Sequence, residues 1–222
     1  MSRTRFVLPL AALMFAGAAL TARPVHAQRS AAPTPAAPDS ISPRADAGRV
    51  EGSPTATVWL VEASDFQCPF CKEWHDSTYP TILKEYINTG KIRFAFLNYP
   101  LSMHEHSMQA AEAGMCAAAQ GKFWPMHDAL FTTQPQWDGP QDPAAFFQTL
   151  AARAGVNVAA WKHCVATHAA RPIINADRDR LRNNGVNSTP TFFIGGQKIE
   201  GAAPTASFQK AIDDALAKAG KH

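Results

Sequence analysis

The sequence predicts an α/β fold in which a βαβ unit and a ββα unit flank an all-helical insertion. Three observations predict it. The apolar run Val58-Trp59-Leu60-Val61 leads into Cys68-Pro69-Phe70-Cys71 and then into a helical stretch. From about residue 103 to 184 the patterning is helical throughout. Thr191-Phe192-Phe193-Ile194, Gly195-Gly196 and Gln197-Lys198-Ile199-Glu200 then read as strand, two-residue turn and strand.

In chain order, the first strand spans about Thr57 to Ala63, nearly continuously apolar, as expected for a strand covered on both faces. A helix follows from about Phe70 to Asn88 and stops at Thr89-Gly90. Alternation in Lys91-Ile92-Arg93-Phe94-Ala95-Phe96-Leu97 puts Ile92, Phe94 and Phe96 on one side. Strand, helix and strand at this spacing imply a parallel pair joined by a right-handed crossover. Inside the helical block, Gly121 separates an alanine-rich helix from the helix Phe123 to Phe131. Asp142-Pro143 reads as an N-cap with a first-turn proline, and Gly155 as that helix's end. Asn157 can cap a helix whose apolar face carries Trp161, Cys164 and Val165, and Gly185 can close the last long helix. Phe208, Ile212 and Leu216 recur every four residues and give a final amphipathic helix. This order is that of a thioredoxin fold with a helical insertion.

At the N-terminus, Arg3 and Arg5 precede an apolar stretch of 15 residues from Phe6 to Leu20, then Val25-His26-Ala27. This is the pattern of a signal peptide cleaved after Ala27, and the stretch is too short to span a bilayer comfortably. An exported, periplasmic location follows, where disulfides persist. Residues 28–50, rich in Ala, Pro and Ser, read as a flexible leader, and residues 51–222 as one domain. Loss of residues 1–27 removes three arginines and no acid, so 18 basic residues balance 18 acidic ones. No basic patch calls for nucleic acid or a membrane surface.

The chemistry resides in Cys68 and Cys71. A helix starting at Cys68 aims its unpaired N–H groups and positive dipole end at that sulfur, which favours thiolate. Cys71, one turn on, can close a disulfide with it. A structural zinc site would need a second such pair, whereas Cys116 and Cys164 stand far apart. The pair therefore reads as a redox-active dithiol. Glu62, within the apolar strand, is either a buried acid with a task or a strand-end residue in water. Pro190, from the residues alone, fits either a cis bond or an ordinary trans strand start.

Three segments carry a resemblance: Glu62 to Cys71, Gln120 to Asp128 and Gly185 to Phe193. Through them the chain, over about residues 52–219, resembles the DsbA-like thiol–disulfide oxidoreductases of bacterial envelopes. The resemblance implies that Thr189-Pro190 is a cis bond packed against the dithiol, exposing the Thr189 backbone to a substrate strand. It implies a substrate thiolate attacking the Cys68–Cys71 disulfide at Cys68, with Cys71 resolving dead-end mixed disulfides. It supports a proton-relay role for Glu62, and it implies a structural disulfide between Cys116 and Cys164, the alternative being two buried free thiols. Closing that 48-residue interval would stabilise the fold by about 4 kcal/mol in the chain-entropy treatment. Phe70 departs from the family's best-known oxidases, which carry a histidine there that can support the thiolate. A smaller pKa depression at Cys68 and a less oxidising couple are expected, with a potential below about −120 mV.

No cofactor and no metal are expected. His104 and His106 do not share a helix face and read as a solvated helix start, and His127 reads as packing. Asn187-Ser188-Thr189 matches a glycosylation sequon by accident, since a glycan would block the groove. The expected function is a monomeric oxidase of reduced exported proteins, itself re-oxidised by a membrane quinone-linked partner. Thr189, Pro190 and Phe70 would then meet substrate. A reductase or isomerase of the same fold is the alternative, as is a non-catalytic peptide-binding chaperone.

Overall fold

The computed structural model describes residues 42–139 and 141–220. The predicted signal peptide, its cleavage point and leader residues 28–41 lie outside the described residues. The leader assignment needs correcting at its end. Ser42–Gly48 is a helix (α1) and Val50–Gly52 a strand (β1). Arg49 between them ion-pairs with the buried Asp177, adding a second bond at 2.9 Å, and its carbonyl accepts from the Phe96 N–H. The three-residue strand is too short to show a period, and its partners are more than 40 residues away.

β2 (Val58–Ser64) and β3 (Ile92–Asn98) pair in parallel, as the βαβ reading requires. β4 (Thr191–Ile194) and β5 (Gln197–Glu200) form the closing hairpin, with positive φ at both Gly195 and Gly196. The sheet order is β1-β3-β2-β4-β5, with every pairing except β2–β3 antiparallel. β2 is less covered than its composition implied: Trp59 is 37% exposed and lies under the Arg93 guanidinium.

The predicted single helix from Phe70 to Asn88 is broken. α2 runs Pro69–Ser77, α3 Tyr79–Ile82, and a π-turn covers Leu83–Ile87. Pro80 has no N–H to give and would collide with the carbonyl four residues back, so the helix restarts at Thr78. The insertion comprises α4 (Ser107–Ala118), α5 (Phe123–Thr132), α6 (Gln134–Trp137), α7 (Ala144–Arg153), α8 (Val158–Ala166) and α9 (Arg171–Asn183). Asn157 caps α8 by accepting the Ala160 N–H at 2.9 Å. Asp142 accepts the Ala144 N–H at 3.0 Å, while Pro143 takes the cap position itself.

Two large apolar cores result, beside a small third cluster of Ala63, Tyr99, Leu181 and Val186. One joins the sheet to α2, α3 and α10 (Thr205–Ala219) through Leu60, Trp74, Phe94, Phe192, Phe208 and Ile212. The other fills the insertion around Phe66, Phe123, Leu130, Phe147 and Trp161. The Cys68–Cys71 turn belongs to the second core and sits at the junction of the two.

Candidate active site: a dithiol at a helix start

Cys68 is the N-cap of α2, in extended conformation (φ −71°, ψ 124°), with Pro69 in the first turn. Its Sγ faces the carbonyl of Thr189 at 3.4 Å, and the Thr189–Pro190 bond is cis. Cys71 is fully buried, and its sulfur accepts the Asp65 N–H at 3.5 Å. Among the described residues Cys68 and Cys71 are the free cysteines, whereas Cys116 and Cys164 form a disulfide with a Cα–Cα distance of 5.8 Å.

The electrostatics separate the two sulfurs. The Cys71 thiol, the Thr189 hydroxyl and the N–H groups of Cys71 and Phe70 outweigh burial and bring Cys68 down to about 6. Burial pushes Cys71 well up, and the adjoining Cys68 thiolate and Glu62 reinforce it. Glu62 is 1% exposed, with no hydrogen bond on either carboxylate oxygen, so the strand-end alternative is excluded. Burial raises it to about 8, Ser64 and His75 countering in part, so it is protonated at pH 7. Residues 62 and 64 share a face of β2, which brings an acid and a hydroxyl beneath Cys71.

A polar frame holds the turn, and sequence reasoning missed most of it. The Asp65 carboxylate accepts from Gln67 N–H (2.9 Å), Leu101 N–H (2.9 Å) and Ser107 Oγ (2.6 Å), and pairs with His104 Nδ1 (2.7 Å). Gln134 Nε2 donates to the carbonyls of Phe66 and Cys68 at 2.7 and 3.2 Å. Gln67 Oε1 accepts the His106 N–H at 2.6 Å. The expectation of a solvated His104–His106 segment is thus corrected: His106 is buried, with its Nε2 against the Gly139 carbonyl at 2.8 Å. Apart from the Gln67 N–H, two residues from Asp65, these partners lie 33 to 68 residues apart in the chain, so no local spacing signals them. Phe70, by contrast, is 58% exposed beside Cys68.

His127 is buried among aromatic rings, as packing predicted. It also converges with His75 and Asp128, their candidate ligand atoms lying within 4.8 Å of one another, and these three could hold a metal ion. His127 Nδ1 and His75 Nε2 already engage Asp128 Oδ1 at 2.8 and 3.4 Å. Against its burial, these bonds hold the Asp128 carboxyl well below the usual range.

The family model described as Thioredoxin matches residues 44–214. The chain belongs to the thioredoxin family. Among curated relatives, this thioredoxin-family chain is 30% identical over 175 residues to an Na(+)/H(+) antiporter NhaA 3 of Salinispora tropica, covering 78% of the chain but 26% of the antiporter. The chain thus spans about a quarter of the length of the first such relatives. It is 28% identical over 173 residues to a probable disulfide bond formation protein D of Bacillus cereus, covering 75% of the chain and 78% of the relative. The solved structure of oxidised BdbD from Bacillus subtilis superimposes with TM-score 0.70 at 25% identity, over 77% of the chain and 94% of BdbD. Alpha-DsbA1 of Wolbachia pipientis shares the fold, with TM-score 0.68 at 24% identity, over 77% of the chain and 92% of that structure. The helical insertion into the thioredoxin fold is therefore of the DsbA type. No helix among the described residues is long and apolar enough to cross a membrane.

Proposed function

We propose that the chain is a thiol–disulfide oxidoreductase that forms disulfides in exported proteins through Cys68 and Cys71. The observation that carries this reading is the difference between the two sulfurs. One is stabilised as thiolate at a helix start facing the cis-proline loop, and the other is buried and kept protonated. A substrate thiolate attacks Cys68 Sγ of the Cys68–Cys71 disulfide, and Cys71 leaves as a thiolate that takes a proton. Glu62, protonated at pH 7 and buried beneath it, is the proposed source. A second substrate thiolate then attacks the mixed disulfide at the substrate sulfur and expels Cys68, whose low pKa makes it the better leaving group. The substrate leaves oxidised and the dithiol reduced, and a membrane quinone-linked partner would restore the disulfide. Thr189, Pro190 and Phe70 supply the surface on which an extended, reduced substrate lies. Resemblance to relatives named for disulfide bond formation supports this reading. So does the signal-peptide pattern at the N-terminus, which fits cleavage after Ala27 and a periplasmic location, where the protein would act as a monomer.

The deciding experiment is equilibration of the purified protein with glutathione. A potential at or above about −180 mV is expected, whereas one near −270 mV would make the protein a reductant. A Cys68→Ser variant that kept the full effect on client proteins would instead indicate a chaperone.

A further inference from the structure

Beside the segment that leads to Thr189-Pro190 lies a cavity of about 600 Å³ that the exchange chemistry does not use. One wall is the loop after β3, from Tyr99 to His104, and the opposite wall is α9. Gly185-Val186-Asn187, which leads into the cis-proline loop, closes the third side.

The lining carries cations without anions. Arg178 and Arg182 of α9, four residues apart and therefore on one helix face, both border the cavity, and no acidic residue does. Neither arginine takes part in an ion pair among the described residues, and Arg178 Nε is buried without a hydrogen-bond partner. Arg49 and Arg171, packed in the same part of the fold, are by contrast paired with Asp177 and Glu112. His104 also borders the cavity, but its Nδ1 is already paired with Asp65 at 2.7 Å, which leaves the two arginines as the unpaired cations of the lining. Asp65 itself is buried and already saturated by four donors. A guanidinium fork matches the two oxygens of a carboxylate, and an unpaired buried N–H is costly unless something arrives to accept it.

Position supplies the ligand. Asn187 is two residues before Thr189, whose carbonyl faces Cys68 Sγ at 3.4 Å. Two residues of extended chain span about 7 Å. A polypeptide running beside Thr189 with its cysteine at Cys68 therefore sets a residue about two positions away level with the cavity mouth. We propose that this cavity is a carboxylate subsite, in which Arg178 and Arg182 hold an aspartate or glutamate side chain flanking the reacting cysteine of the substrate. The inference rests on the reading of Cys68 as the exchanging sulfur, and it makes reduced segments with an acidic neighbour the preferred substrate class.

The test uses extended peptides with one cysteine and Glu, Gln or Lys two positions to either side, reacted at low salt with the oxidised full protein. The Glu peptides should react about tenfold faster than the Gln peptides, with Lys slowest, and 0.5 M salt should compress the series. Arg178→Gln with Arg182→Gln should erase the preference. Exchange with neutral β-mercaptoethanol and the pH dependence of Cys68 alkylation should stay unchanged. Arg182→Gln alone, at an exposed position, should narrow the preference in a protein whose fold is undisturbed. Equal rates for the three peptides, or a preference that survives both substitutions, would overturn the subsite. So would peptides without charge preference alongside a variant impaired only toward glutathione, which would assign the cavity to a free carboxylated thiol. If the unaltered protein does not exchange even with β-mercaptoethanol, the oxidoreductase reading itself fails.

Discussion

The chain carries two cysteine pairs whose environments are opposites. Cys68 and Cys71 meet at the first turn of a helix, where unpaired N–H groups and the Thr189 loop converge on one sulfur. Cys116 and Cys164 join the last turn of α4 to the last turn of α8, inside the helical block, where both are buried among alanine and aromatic side chains. Their contrast teaches that a thiol becomes reactive through the dipoles aimed at it and through the stability of its leaving form, not through being a cysteine.

The sharpest way to break the contrast is to remove one sulfur at a time. Cys68→Ser should lower substrate oxidation by about 10³-fold or more, read as the rate of disulfide formation in a reduced peptide. The double change Cys116→Ser with Cys164→Ser should leave that rate intact. It should cost about 4 kcal/mol in urea unfolding, because the 48-residue loop is no longer closed. A comparable rate loss in the second protein would erase the distinction between the pairs.

Alkylation of the reduced protein sharpens it further. With Cys68 near 6, its reaction with iodoacetamide should rise as pH rises through 6 and level off by 7. An ordinary thiol titrates near about 8.5, so at pH 6 Cys68 should be about 100-fold richer in thiolate. A midpoint above 8 would contradict the electrostatics of the site.

Glu62 offers a test of opposite sign. Its carboxyl titrates near 8 when folded and near about 4.3 when unfolded, so between these values the native state holds a proton the unfolded chain has released. Stability therefore falls as pH rises across that window. Glu62→Gln should stabilise the reduced protein at pH 7 by about 3 kcal/mol, with no gain at pH 4, while slowing the release of Cys71. The smallest effect expected is from Asn157→Ala, which uncaps the helix bearing Cys164. It should cost about 1 kcal/mol in thermal unfolding and leave exchange untouched.

How much of this was legible in the chain depends on the range of the interaction. The parallel pair, the glycine-closed helices, the Asn157 cap and the Gly195-Gly196 hairpin all follow from residues within a few positions of one another. The dithiol and its helix start were equally local. The break at Thr78 was signalled by Pro80, which reasoning on apolar periodicity alone passed over. Invisible were α1 and β1, whose order comes from Arg49 reaching Asp177 across 128 positions. The Asp65 hub, the Gln134 clamp and the His75–His127–Asp128 cluster were equally hidden.

The sequence by itself determined the order of elements and the presence of a thiol pair at the start of a helix, because periodicity, glycine and capping act over one or two turns. Only the tertiary structure decided how completely Cys71 is buried and what holds the Cys68–Cys71 turn in place. It also decided that burial raises the Glu62 carboxyl and that Arg178 and Arg182 border one cavity of about 600 Å³. Burial and the convergence of distant dipoles set a group's charge, and both exist only once the segments have packed.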